Sequence, residues 1–186
     1  RAESIKLKLP GKHNVENAMA AMAIACQLGG QCEEMVEAVA SFEGVKRRFD
    51  QYQGSGSVYI DDYAHHPEEV KATLNAVRSL YPEQKMTVVF QPHLFSRTRD
   101  FADGFAQSLG LADELILLEI YPARETPIEG VDSEMLLSKV QLDAKKVLTK
   151  EALLDNLKTN KRRVLVTLGA GDIDQLVEPI KSIYQE

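Results

Sequence analysis

Imidazole, guanidinium, phenol and carboxylate groups gather in three short stretches of the chain, and small residues in a fourth. These are Asp61-Asp62-Tyr63-Ala64-His65-His66-Pro67, Gln91-Pro92-His93-Leu94-Phe95-Ser96-Arg97-Thr98-Arg99, Tyr121-Pro122-Ala123-Arg124-Glu125 and Gly169-Ala170-Gly171-Asp172. The first two hold three of the four histidines. A planar guanidinium pairs bidentately with a carboxylate, and an imidazole can orient a substrate or exchange its proton. Brought to one place, such groups suit a site that orients a small carboxylate-bearing substrate. Taken singly, each residue also has a structural role open to it: Asp61 or Asp62 can anchor a turn, and His65 and His66 can simply precede a helix that starts at Pro67. Zinc is a competing use of His65, His66, His93 and Asp62, but adjacent histidines in a loop are not a helical pair at ligand spacing, and no metal site is expected. Gly169-Ala170-Gly171 opens like a dinucleotide fingerprint and lacks its third glycine, so a tight strand-to-helix turn is the better reading. Nowhere in the 186 residues is there a G-x-x-x-x-G-K-[ST] cradle for nucleotide phosphates.

The elements that must position these stretches follow from periodicity. Continuous apolar runs such as Met86-Thr87-Val88-Val89-Phe90, Leu115-Ile116-Leu117-Leu118 and Val164-Leu165-Val166 suit parallel strands covered on both faces. Strands are expected at 57–62, 86–91, 114–119, 145–148 and 163–168, after a hairpin around Gly54-Ser55-Gly56. Helices are expected at 67–81, 98–109, 133–140, 150–158 and 173–184. Right-handed crossovers wind this alternation into a Rossmann-like, open, mostly parallel α/β sheet flanked by helices. In such a sheet ligands gather beyond the carboxyl ends of the strands, where all four stretches fall.

The leading segment differs. Ile5, Leu7 and Leu9 alternate with Ser4, Lys6 and Lys8 as in a strand. A helix capped by Asn14 should bury Val15, Ala18, Met19, Met22 and Cys26 and stop at Gly29-Gly30. A second, Glu33 to Phe42, should bury Met35, Val36, Val39 and Phe42. So few elements make a poor core alone, so residues 1–47 are expected to be the end of a neighbouring domain and 48–186 a complete one. A net charge of -6 gives no basic footprint for nucleic acid, and no apolar run reaches the ~20 residues of a membrane span. Two cysteines cannot build a disulfide framework, and a reducing, cytoplasmic setting fits them.

Gly11-Lys12-His13-Asn14-Val15-Glu16-Asn17-Ala18-Met19-Ala20-Ala21 resembles the segment closing the central ATPase domain of the Mur ligases, which build the peptide stem of peptidoglycan. Gly44-Val45-Lys46-Arg47-Arg48-Phe49, the Asp61–Pro67 stretch, Phe90-Gln91-Pro92-His93 with Ser96-Arg97-Thr98-Arg99-Asp100, and Tyr121-Pro122-Ala123 follow in family order. The resemblance implies the carboxy-terminal part of a three-domain ATP-dependent ligase, with the phosphate loop upstream and this part alone inactive. It is nearest to the branch that joins L-alanine to UDP-N-acetylmuramate through an acyl phosphate, using ATP and Mg2+. The related branch that attaches recycled murein peptides shares the double arginine and the His-His-Pro. A stand-alone nucleotide-binding module is the alternative from another class. Carried over by motif, Asn14 and Asn17 would approach adenine, Arg48 the ribose or phosphates and Asp62 the ribose hydroxyls. Tyr63, His65, Arg97 and Arg99 would face the amino acid and acyl phosphate, with His65 and Arg97 closest to the chemistry. Many family members have arginine after the Pro-His pair where this chain has Leu94.

Overall fold

A computed structural model describes residues 5–185. They divide into two compact units at Lys46/Arg47.

The first unit holds two helices, α1 (Lys12–Gln27) and α2 (Cys32–Ser41). Gly11 at φ 101°, a conformation open chiefly to glycine, stands at the N-cap position in place of the expected Asn14. Asn14 lies one turn further in and its Nδ2 donates to the Pro10 carbonyl at 2.7 Å. The Gly29-Gly30 stop is a Schellman arrangement: Gly29 has φ 88°, its N–H reaches the Cys26 carbonyl, and the Gly30 N–H reaches that of Ala25. The sequence expectation fails in three respects. Residues 5–9 form no strand, since alternation without a partner strand leaves the backbone groups unpaired; Ser4 lies outside the described residues. Phe42 falls just beyond α2, and neither helix buries a residue fully. Cys26, expected inside, is exposed.

The second unit is a six-stranded sheet in the order β1-β2-β6-β3-β4-β5. The strands are β1 (Asp50–Gly54), β2 (Ser57–Asp62), β3 (Met86–Phe90), β4 (Glu114–Leu117), β5 (Lys145–Val147) and β6 (Val164–Leu168). Only β1 runs antiparallel, joined to β2 by the expected hairpin. The parallel strands separate two apolar layers. Ile60, Val88, Phe90, Leu115 and Val166 face one layer with Val70, Leu74 and Val77 of α3 (Pro67–Leu80). That layer also takes Phe105 and Leu109 of α5 (Ala102–Leu109) and Leu136 of α6 (Ser133–Lys139). Tyr59, Val89, Ile116 and Leu165 face the other with Leu153 and Leu157 of α7 (Lys150–Thr159) and Ile180 and Tyr184 of α8 (Val177–Gln185). Side chains alternate across a strand, so each continuous apolar run feeds both layers.

Two expected helices are broken. That over 98–109 is α4 (Phe95–Asp100) and α5, with Phe101 between them at φ -113°, ψ 17° and its ring against His66. That over 173–184 begins as a 3-10 turn (Asp172–Leu176), because Pro179 has no N–H to give the Gln175 carbonyl of a continuous α-helix.

Candidate functional site

The loops after β2, β3, β4 and β6 open at one edge of the sheet. Their base is a buried network. Thr167 on β6 donates through Oγ1 to Asp61 Oδ1 at 2.7 Å, and Asp61 Oδ2 receives Arg47 Nε at 2.9 Å. Arg47 Nη2 extends this to the Gly169 carbonyl at 2.8 Å. Asp61 is fully buried and the Arg47 side chain 12% exposed, so the pair is largely desolvated.

Arg48 is displayed between two strained residues. Arg47 and Phe49 both have φ 61°, a conformation costing a non-glycine residue about 1–3 kcal/mol. Three bonds hold them there: Arg47 N–H to the Asp50 carboxylate at 2.8 Å, Phe49 N–H to Asp62 Oδ2 at 2.8 Å and Tyr63 N–H to the Arg47 carbonyl at 2.7 Å. Asp62 also receives the Ala64 N–H at 2.8 Å. Burial pushes the Asp62 carboxyl up to about 6, against the opposing pull of those two N–H groups and of Arg48. The anchoring role open to Asp62 in the sequence is therefore the one its contacts display. The Arg47 and Arg48 guanidinium groups lie 5.5 and 5.9 Å from the ring centre of Tyr63, which is 38% exposed.

Beyond Tyr63 the histidines separate. His65 Nδ1 is 3.0 Å from the Tyr63 carbonyl, which can only accept, so Nδ1 carries the proton and a neutral ring keeps Nε2 as an acceptor. His66 does what a helix start requires: its Nδ1 accepts the Glu68 N–H, while Glu69 accepts the N–H groups of His65 and His66 at 3.0 and 3.1 Å. Zinc ligands do not assemble: among the described residues no three His, Cys, Asp or Glu groups lie together to hold a metal.

The second and third loops are joined. His93 and Tyr121 pair as an isolated bridge with stacked rings 5.6 Å apart, and His93 also faces His65 at 6.2 Å. His93 Nδ1 and Arg97 Nη1 are buried with no hydrogen-bond partner among the described residues. Leaving a buried polar atom unsatisfied costs about 1–3 kcal/mol, so both nitrogens are open to a partner from a ligand or water. Burial, then Arg97 and His65, lower the His93 pKa, so the ring is neutral at pH 7. Arg99 is exposed and spent on Asp100 at 2.8 Å.

Gly171 closes the fourth side. A Cβ there would come within 2.5 Å of Gln91 Oε1 and 2.6 Å of Tyr121 Cβ, so only glycine lets the three loops meet. Gln91 ties that contact to the β6 loop, donating to Asp172 Oδ1 at 2.7 Å and accepting the Ile173 N–H at 2.9 Å.

The sheet thus brings Arg48, Asp62, Tyr63, His65 and Arg97 to one edge, with Arg99 on the outer side of α4. Asn14 and Asn17 belong to the other unit. Sequence reasoning counted His93 and Glu125 within the candidate stretches without giving either a substrate role of its own, and gave no individual role to Arg47 or Glu69. Glu69 was signalled by its place three residues after His66, as in a capping box.

A family model for the Mur ligase, glutamate ligase domain, matches residues 47–172. The chain belongs to the Mur ligase family. The UDP-N-acetylmuramate–L-alanine ligase of Flavobacterium psychrophilum is 53% identical over 99% of this chain, which covers 41% of that protein. That of Cytophaga hutchinsonii is 51% identical over the whole chain, covering 40% of the relative. Among solved structures, UDP-N-acetylmuramate-alanine ligase from Thermotoga maritima superposes with a TM-score of 0.78 at 30% identity, over 99% of this chain and 40% of that one. A murein peptide ligase from Psychrobacter arcticus, 21% identical with a TM-score of 0.68 over 97% of this chain and 38% of that one, shares the fold. This Mur ligase chain spans about two-fifths of the length of the curated relatives it matches.

Proposed function

We propose that this chain is the carboxy-terminal part of an ATP-dependent, ADP-forming ligase that joins L-alanine to UDP-N-acetylmuramate in peptidoglycan synthesis. The observation that carries the proposal is likeness to UDP-N-acetylmuramate–L-alanine ligases at about half identity along essentially the whole chain. Residues 1–47 then close the central ATPase domain, residues 48–186 form the carboxy-terminal domain, and the whole works in the cytoplasm. No described helix is long and apolar enough to cross a membrane.

In this reading the muramate carboxylate attacks the γ-phosphorus of ATP and ADP departs, leaving an acyl phosphate. The alanine amine attacks the acyl carbon, phosphate leaves, and the amine gives up a proton as the amide forms. The chain's residues supply positioning and charge. Arg97 takes the alanine carboxylate in its planar fork, which satisfies its orphaned Nη1. His65 presents Nε2 to the amine, Tyr63 and His93 wall the amino-acid site, and Arg99 adds positive charge outside it. Asn14 and Asn17 approach adenine, and Arg48 the ribose or phosphates. Asp62 has one lone pair per oxygen left for ribose hydroxyls after its two backbone bonds. In this reading Mg2+ and the ATP phosphates are held mainly by upstream residues of the whole protein, where the ion would neutralise phosphate charge.

The test uses the whole protein that carries this chain. ADP release should require UDP-N-acetylmuramate and L-alanine together, and a murein tripeptide should not replace alanine. Preference for the tripeptide would assign the chain to peptide recycling, and tight nicotinamide-cofactor binding with no ligase turnover would remove it from ligation.

A further inference from the structure

We infer that Glu125 is the positioning residue for Arg97, holding α4 from the neighbouring loop while leaving the guanidinium free for substrate; this rests on the ligase reading above. Helix α4 has no side-chain cap of its own: Leu94, at its N-cap position, has φ 72° and an apolar side chain. The Ser96 N–H, in the first turn, has no intrahelical acceptor. Glu125 supplies one from the loop after β4, with Oε2 accepting the Ser96 N–H at 2.9 Å and Oε1 accepting the Ser96 hydroxyl. The adjoining backbone is fixed to match: Leu94 N–H reaches the Tyr121 carbonyl and Tyr121 N–H the Pro92 carbonyl, both at 2.9 Å. Ala123, at φ 51°, turns the chain so that Glu125 returns toward α4, with its own N–H on the Pro122 carbonyl at 2.9 Å.

The choice of partner is the point. The two Ser96 bonds hold the Glu125 carboxyl below the usual range, the Phe95 N–H helps, and the nearby Arg97 guanidinium adds the smallest pull. Each of its oxygens nevertheless accepts from Ser96, one residue away, rather than from the guanidinium, and Arg97 Nη1 keeps no partner among the described residues. A carboxylate bound to Arg97 itself would occupy the fork that the amino acid needs. Bound to Ser96, it fixes the turn from which Arg97 projects and adds negative charge that does not block it.

In the whole protein, Glu125→Ala should raise KM for L-alanine roughly tenfold or more, because displacing a binding group by an ångström costs that order of effect, with KM for ATP and UDP-N-acetylmuramate within about twofold of wild type. Glu125→Gln should recover most of the loss: its amide oxygen can accept the Ser96 N–H and its NH2 can donate to the hydroxyl. Amide hydrogen exchange, which needs no turnover, should show Ser96, and Thr98 whose N–H closes the first turn onto the Leu94 carbonyl, losing protection in Glu125→Ala and keeping it in Glu125→Gln. Unchanged protection at Ser96, or a rise in all three KM values together, would overturn the inference. Wild-type protein that releases no ADP with alanine would sink the ligase reading instead, and hydrogen exchange would still decide whether Glu125 pins α4.

Discussion

Phe49 donates its backbone N–H to Asp62 Oδ2 across 2.8 Å while its own φ of 61° lies in the left-handed region. The bond joins the strained turn that displays Arg48 to the end of β2, and it makes Asp62 a structural anchor beside whatever ligand it meets.

Titration of Asp62 follows from that placement. Its carboxyl is raised from the ordinary 3.8 to about 6 by burial, so folding favours the protonated form. The corresponding stability is fully present below the unfolded value and is lost as the pH rises through about 6, amounting to about 3 kcal/mol for a two-unit shift. Carboxyl-carbon NMR should find the Asp62 midpoint near 6. A midpoint at or below the free aspartate value would contradict the burial argument.

Removing Arg47 should damage folding more than removing any exposed arginine. Arg47→Ala leaves fully buried Asp61 with only the Thr167 hydroxyl and frees the Gly169 carbonyl. Breaking one side of a buried pair costs about 3–5 kcal/mol, whereas Arg99→Ala, at an exposed pair, should cost under about 1 kcal/mol. Urea denaturation of the two variants reads the difference, and similar midpoints would remove Asp61–Arg47 as the base of the site.

Two glycines separate packing at the site from backbone strain away from it. Gly171→Ala would thrust a methyl against Gln91 and Tyr121 and should cost about 1–3 kcal/mol while raising KM for alanine, because Tyr121 stacks on His93. Gly56→Ala meets nothing within 4 Å and suffers only its φ of +73°, about 1–2 kcal/mol. Its alanine KM should stay at the wild-type value. Equal kinetic effects would show that the alanine site is insensitive to this contact.

Much of this was legible in the sequence for a physical reason. Strands covered on both faces must be apolar without interruption, so β3, β4 and β6 announced themselves, and a parallel sheet places the polar segment after each at one edge. Pro67 marked its helix start and Gly29 its helix stop because their backbone restrictions are intrinsic. What escaped was relational. Alternation at Ile5, Leu7 and Leu9 could not reveal that no strand pairs with them, nor could the periodicity over 98–109 show the break at Phe101. The Glu125–Ser96 bond joins loops after different strands and leaves no local pattern, and the orphaned nitrogens of His93 and Arg97 are defined by what surrounds them in space.

The central claim is that Arg97 holds the carboxylate of the incoming amino acid, and L-alanine-dependent ADP release by Arg97→Ala in the whole protein measures it directly. Losing a charge-assisted pair worth about 1.5–3 kcal/mol per bond should raise KM for alanine by about a hundredfold, with KM for ATP and UDP-N-acetylmuramate little changed. An alanine KM equal to that of wild type would contradict the account.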